Sequence, residues 1–106
     1  MSNPTIDKEG NKRWYNENGK YHRLDGPAVE YADGDKFWFQ NGKPYRLNGP
    51  AIEYADGDKY WYKNGLLHRI NGPAVEWADG TRYWYLNDEQ IYPKKHTLAI
   101  WNKQYE

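Results

Sequence analysis

Residues 48–66 read NGPAIEYADGDKYWYKNGL, and residues 25–43 and 71–89 say almost the same, as DGPAVEYADGDKFWFQNGK and NGPAVEWADGTRYWYLNDE. The pairs Gly26-Pro27, Gly49-Pro50 and Gly72-Pro73 lie 23 residues apart. Asp33, Asp56 and Asp79, each followed by glycine, keep that interval, and so do Trp38, Trp61 and Trp84. Upstream, EGNKRWYNENGKYHRL at residues 9–24 is a partial copy if Glu17 is one extra residue in the turn before Gly19. Downstream, LNDEQIYPKKHTLAIWNKQYE at residues 86–106 has Asp88 for the turn glycine and loses the Gly-Pro pair. Terminal units of a repeat array depart from the pattern because they cap the stack. The spacing therefore predicts a flexible terminus over residues 1–8 and a single repeat domain over residues 9–106. That domain divides into a partial copy (9–25), units at about 26–48, 49–71 and 72–93, and a decayed cap (94–106).

Within a unit the side chains alternate with period two, the signature of strands. Asp-Gly flanked by such runs predicts a two-residue hairpin turn with both central residues at positive φ. Pairing across Asp33-Gly34 then sets Val29 opposite Trp38 and Glu30 opposite Phe37. A second hairpin at Asn41-Gly42 sets Trp38 beside Tyr45 and Phe37 beside Arg46. Gly or Pro interrupts every few residues, so no helical period survives. The expected fold is all-β: an antiparallel meander of stacked short hairpins built from 23-residue repeats, forming an elongated, twisted, single-layer sheet. Trp38, Trp61 and Trp84, with Gly34, Gly57 and Gly80, are its structural positions.

Two faces follow from that register. Val29, Trp38, Tyr45, Ile52, Trp61, His68, Val75 and Trp84 make a core stripe. Phe37, Phe39, Tyr60, Tyr62, Tyr83 and Tyr85 line the other face, with Glu30, Glu53 and Glu76 and with Arg23, Arg46 and Arg69 around them. Glu30 and Arg46 are expected to flank Phe37, and Glu53 and Arg69 to flank Tyr60. Strands of about five residues make a ribbon only ~17 Å wide, which leaves surplus aromatic surface.

The totals narrow the function. Lys plus Arg (15) equals Asp plus Glu (15), so no long-range field gathers nucleic acid or an anionic membrane. There is no cysteine, hence no disulfide, thiolate metal site or cysteine nucleophile. No apolar h-region or membrane-length apolar run occurs, which points to a cytoplasmic protein. Aromatic residues make up 18 %, with 11 Tyr and 6 Trp, a composition that favours protein contacts.

The unit resembles a divergent form of the MORN repeat, the form found in bacterial, phage and protist proteins. The matching motif runs Trp38-Phe39-Gln40-Asn41-Gly42, Tyr45-Arg46, Asn48-Gly49-Pro50-Ala51-Ile52-Glu53-Tyr54 and Asp56-Gly57, and the resemblance covers roughly residues 9–92. The usual Tyr-x-Gly signature is absent, since Gln40 follows Trp38-Phe39. The resemblance implies stacked hairpins in a single-layer sheet. It also implies a scaffold, a membrane-associated platform or an antitoxin-like or immunity role.

Individual candidates for chemistry have simpler explanations. His22 and His68 lie four to six strands apart, roughly 19–29 Å in an open ribbon, too far to share a metal. His96 stands near the end of the chain. Glu30, Glu53 and Glu76 recur with the same neighbours, whereas acid–base catalysis needs two carboxylates in different environments. No nucleophile-elbow, zinc-protease or phosphate-loop motif occurs, and no cofactor motif either. Lys94-Lys95-His96 reads as a solvated edge. The reading is therefore a non-enzymatic protein-interaction module. Its interface is Phe37, Tyr60, Tyr83, Phe39, Tyr62 and Tyr85 with Arg23, Arg46 and Arg69, or an exposed sheet edge. The alternatives are a small phage or bacterial inhibitor of one toxin or defence enzyme and a homo-oligomeric structural element, a homodimer being the simplest. Nucleic acid and membrane are disfavoured as partners.

Overall fold

The computed structural model of the chain describes residues 3–92, and the expected cap over residues 94–106 lies outside them, as do Lys94, Lys95 and His96. The described residues form short antiparallel strands: β1 (Thr5–Ile6), β2 (Lys12–Arg13), β3 (Val29–Glu30), β4 (Lys36–Phe37), β5 (Phe39–Gln40), β6 (Lys43–Pro44) and β7 (Ile52–Glu53). They continue as β8 (Lys59–Tyr60), β9 (Tyr62–Lys63), β10 (Leu66–Leu67), β11 (Val75–Glu76), β12 (Arg82–Leu86) and β13 (Glu89–Ile91). Nine of them form one sheet in the order β1-β2-β3-β4-β7-β8-β11-β12-β13. The pairs β5–β6 and β9–β10 are two-stranded hairpins beside it. The result is an elongated, sheet-rich stack measuring 49 × 28 × 19 Å. Thr5–Ile6, in the segment expected to be a loose terminus, pairs with Lys12–Arg13.

The Asn-Gly turns behave as their residues dictate. Asn41 and Gly42 take φ of 52° and 80°, and Asn64 and Gly65 take 54° and 78°. Asparagine and glycine tolerate that left-handed region, so a two-residue turn closes without strain. Gln40 pairs with Lys43, and the Tyr45 N–H donates to the Trp38 carbonyl at 3.0 Å, the expected Trp38–Tyr45 neighbourhood.

The Asp-Gly turns differ from expectation. Only their glycines have positive φ: 108° at Gly34, 108° at Gly57 and 94° at Gly80. The Tyr31 N–H donates to the Asp35 carbonyl at 2.9 Å, and the Gly34 N–H donates to the Tyr31 carbonyl at 2.9 Å. Ala32-Asp33-Gly34 is thus a three-residue loop, a type I turn closed by a left-handed glycine. Asp33 serves through its side chain, whose Oδ1 accepts the Asp35 N–H at 3.0 Å. One extra loop residue slides the register by one. Val29 faces Phe37 rather than Trp38, and Glu30 faces Lys36 rather than Phe37. A one-residue slip moves side chains to the opposite face, so the expected faces are also corrected.

Two cross-strand rows result. One runs Arg13, Val29, Phe37, Ile52, Tyr60, Val75, Tyr83. The other runs Lys12, Glu30, Lys36, Glu53, Lys59, Glu76, Arg82, a row in which the sign of charge alternates at every step. Directly opposed residues share a face, and opposite charges there are each worth about 0.2–1 kcal/mol. Val29, Ile52 and Val75 therefore belong with the rings, not with the tryptophans.

The core is thin and made of small residues. Ala28, Ala51 and Ala74 are wholly buried, joined by Val29, Val75 and Trp14. Loops stack outside it: the Ala55 N–H donates to Asp35 Oδ1 and the Ala78 N–H to Asp58 Oδ1, both at 2.7 Å. A Cβ at Gly57 would lie 3.2 Å from the Ala78 Cβ. Gly57→Val should therefore lose about 1–3 kcal/mol, from strained φ and a crowded stack. Thermal unfolding checks this, with Asn64→Gly, which tolerates the same φ sign, expected to stay near the parent.

Candidate interaction surfaces

The ring face is a continuous chain of aromatic contacts. Tyr15 stacks on Tyr21 (centroids 5.3 Å), Tyr21 tilts on Phe39 (5.6 Å), and Phe39 stacks on Phe37 (6.3 Å). Phe37 meets Tyr54 edge to face at 5.7 Å, and Tyr54 meets Tyr60 at 5.9 Å. The Trp77 Nε1–H donates to the Tyr60 hydroxyl at 3.1 Å, and Trp77 meets Tyr83 edge to face at 5.2 Å. Each such ring pair is worth about 0.5–1.5 kcal/mol beyond the area it buries. Phe37, Tyr60, Tyr83 and Phe39 stand in this chain, whereas Tyr62 and Tyr85 make none of its contacts. Tyr54 and Trp77 are rings absent from the expected face, and Tyr31, expected beside Val29, joins them edge to face on Phe37 at 5.6 Å. Their signal was there: each follows Glu30, Glu53 or Glu76 and so points away from the charged row.

The arginines belong to a different arrangement. Arg23, Arg46 and Arg69 lie over the rings of Trp14, Trp38 and Trp61, each with its guanidinium carbon 3.8 Å from a ring centroid. Their terminal nitrogens donate to Glu30, Glu53 and Glu76 at 2.9, 2.7 and 2.8 Å. The same nitrogens donate to the carbonyls of Pro27, Pro50 and Pro73 at 3.1 Å. The partners are thus Arg46 with Glu53 and Arg69 with Glu76, not the expected arrangement of Arg46 with Glu30 around Phe37. Glycine completes each plug. A Cβ on Gly49 would lie 3.0 Å from the Arg46 guanidinium carbon, so a side chain there would push the guanidinium out of its seat. The expected interface set therefore splits, with rings on one face and arginines on the other.

Beside the plugs, Leu24 and Leu47 are exposed to 67 % and 79 %, and Tyr45 is exposed with them. They form an apolar edge to the arginine face that period-two reasoning did not find, because they sit in the corners between strands.

The histidines act locally. Nδ1 of His22 accepts the Asn41 N–H at 3.0 Å, and Nδ1 of His68 accepts the Asn87 N–H at 3.1 Å. That bond places the ring proton on Nε2, which in His68 is buried without a partner among the described residues. Burial first, and the Lys63 charge second, push the His68 pKa down. No group of three or more His, Asp or Glu side chains placed to hold a metal occurs among the described residues. None of their helices is long and apolar enough to cross a membrane.

Comparison of the chain with protein-family models, with curated proteins and with solved structures finds no match.

Two outcomes are expected. Arg46→Met should cost about 1–2 kcal/mol, from a half-exposed cation–π contact and a partly screened ion pair. Gly49→Ala should cost a similar amount, and the double variant should fall well short of the sum, since both remove one plug; urea titrations of the four proteins measure this. For His68, the unfolded chain takes up a proton more readily than the folded one. Stability should therefore decline as pH falls below the ordinary value of 6.5, until the lowered folded-state value is passed. Unfolding midpoints at neutral and mildly acidic pH should show this slope in the parent and a flatter one in His68→Gln.

Proposed function

We propose that this chain is a non-enzymatic protein-interaction module that presents a rigid aromatic face to a protein partner. In this reading each 23-residue unit is one structural module of the MORN-like kind, acting in the cytoplasm. The observation that carries it is the run of ring contacts from Tyr15 to Tyr60, continued to Trp77 and Tyr83 through the Trp77–Tyr60 hydrogen bond, with Tyr54 and Trp77 exposed along it. Rings locked edge to face on short strands lose little entropy when a partner covers them, and Tyr and Trp are the residue types that dominate interface energetics. A single-target inhibitor is the narrow form of this reading, and would show one partner in fixed ratio.

Self-association is the second reading, favoured by one feature. Among the described residues β1 pairs on one side only, with β2, and its Ile6 is exposed. An open edge with an apolar side chain is a template for strand addition by a second copy.

Phe37→Ser, Tyr60→Ser and Tyr83→Ser, tested singly, should each weaken capture of a lysate partner about tenfold or more while keeping the far-UV β signal. Unfolding of all three variants would assign the rings to packing alone. A parent that captures nothing and sediments as a dimer would favour the edge-paired reading.

A further inference from the structure

The small hairpins beside the main sheet are not evenly joined. The β5–β6 hairpin is tied to the Tyr15–Tyr21 hairpin by Gly42 N–H to the Tyr21 carbonyl (2.9 Å), Arg23 N–H to the Phe39 carbonyl (3.2 Å) and Asn41 N–H to His22 Nδ1 (3.0 Å). The β9–β10 hairpin is tied to β12–β13 in the same way: Asp88 N–H to the Leu67 carbonyl (2.8 Å), Arg69 N–H to the Tyr85 carbonyl (3.2 Å) and Asn87 N–H to His68 Nδ1 (3.1 Å). No hydrogen bond of these kinds joins β5–β6 to β9–β10 among the described residues. The sequence accounts for the lost side-chain bond: Tyr45 stands where His22 and His68 stand, and its ring has no nitrogen to accept the Asn64 N–H. Contact loosens accordingly. A Cβ at Gly42 would lie 3.3 Å from the nearest Lys20 side-chain carbon, and a Cβ at Gly65 3.8 Å from that of Lys43.

A groove opens at this seam. It measures about 780 Å³, against about 360 Å³ for the equivalent depression one hairpin earlier. Its walls hold the apolar surfaces of Tyr45, Leu47, Trp61 and Ile70 and the cations Arg46, Lys63 and Arg69, with no aspartate or glutamate among the lining residues. The smaller depression is lined by Asp25, which pairs with Arg23 Nε at 3.1 Å. At the matching positions the groove has Asn48 and Asn71, so Arg46 and Arg69 each keep one carboxylate, Glu53 or Glu76, where Arg23 has two. The Nε2–H of His68, in the same wall, is buried and has no partner among the described residues.

Together the geometry points to this seam as a docking groove for an extended acidic peptide segment of a partner protein, its carboxylates meeting Arg46 and Arg69 and its apolar side chains lying against Tyr45, Leu47 and Trp61. Charge complementarity selects the occupant: cations lining an apolar cleft favour carboxylates flanked by hydrophobic residues. The inference rests on the reading of the chain as a protein-interaction module and names the chemistry of its partner, on the face opposite the ring row.

The probe is a short fluorescein-labelled peptide of alternating Glu and Leu, followed by fluorescence anisotropy. Saturable binding is expected, weakened about tenfold by Asn48→Asp combined with Asn71→Asp. Aspartate already occupies the matching position at Asp25, so this variant keeps the fold, which far-UV circular dichroism checks. Lys8→Glu makes the same change in net charge far from the groove and should leave binding unaltered. Absence of saturable binding overturns the assignment, and so does equal weakening by Lys8→Glu. Tighter binding of an oligothymidylate, with the same sensitivity to the paired substitution, overturns the peptide as occupant. A lysate partner lost on Tyr60→Ser but kept by the paired variant removes the groove and leaves the module standing. The reverse pattern removes the ring row and keeps the groove.

Discussion

Each Gly-Pro-Ala corner buries its alanine completely, and that alanine's carbonyl receives the N–H of the tryptophan in the preceding hairpin. Trp14 donates to Ala28 at 2.8 Å, Trp38 to Ala51 at 2.7 Å and Trp61 to Ala74 at 2.8 Å. A buried carbonyl left unpaired would cost about 1–3 kcal/mol, so these bonds tie each hairpin to the next corner. A larger side chain at the alanine would separate the strands that the bond must join. Proline before it limits φ and carries no N–H that would need a partner. The stack depends on this small, dry contact more than on any large hydrophobic residue.

Because the core is so thin, stability is spread over rows that run the length of the sheet. The charged row pairs its own charges within the sheet: Lys36 and Lys59 each stand between two glutamates, and Glu30, Glu53 and Glu76 each between two cations. On the other side, rings touch rings through Tyr54 and Trp77. Neither row closes on a deep pocket. Both leave side chains half-buried, at once part of the fold and part of the surface.

The arginine plugs show how local substitutions alter one structural element from unit to unit. Arg23 is held by Trp14, Glu30 and Asp25. Arg46 and Arg69 keep the tryptophan and the glutamate but face Asn48 and Asn71. The same region exchanges histidine for Tyr45 and loses the hydrogen bonds that close the neighbouring seams. Two changes of different kind, one electrostatic and one in backbone pairing, fall on a single groove.

Composition and spacing alone determined a great deal. Antiparallel hairpins, the Asn-Gly turns, the Trp38–Tyr45 neighbourhood and the pairing of recurrent arginines with glutamates in kind all follow from residue types whose backbone preferences or charges are intrinsic. The turn at Asp33-Gly34 was the point of failure. A two-residue and a three-residue loop are both open to Asp-Gly, and the folded chain takes the longer one at all three sites, at Gly80 with no neighbouring loop against it among the described residues. Since side chains alternate with period two, that single residue decided which face holds Val29 and which ring each strand opposes. The glycine before each proline was legible as a corner, but its role as a seat for a guanidinium was not. That role requires Trp38 and Arg46 to meet across a turn, and only the folded chain brings them together.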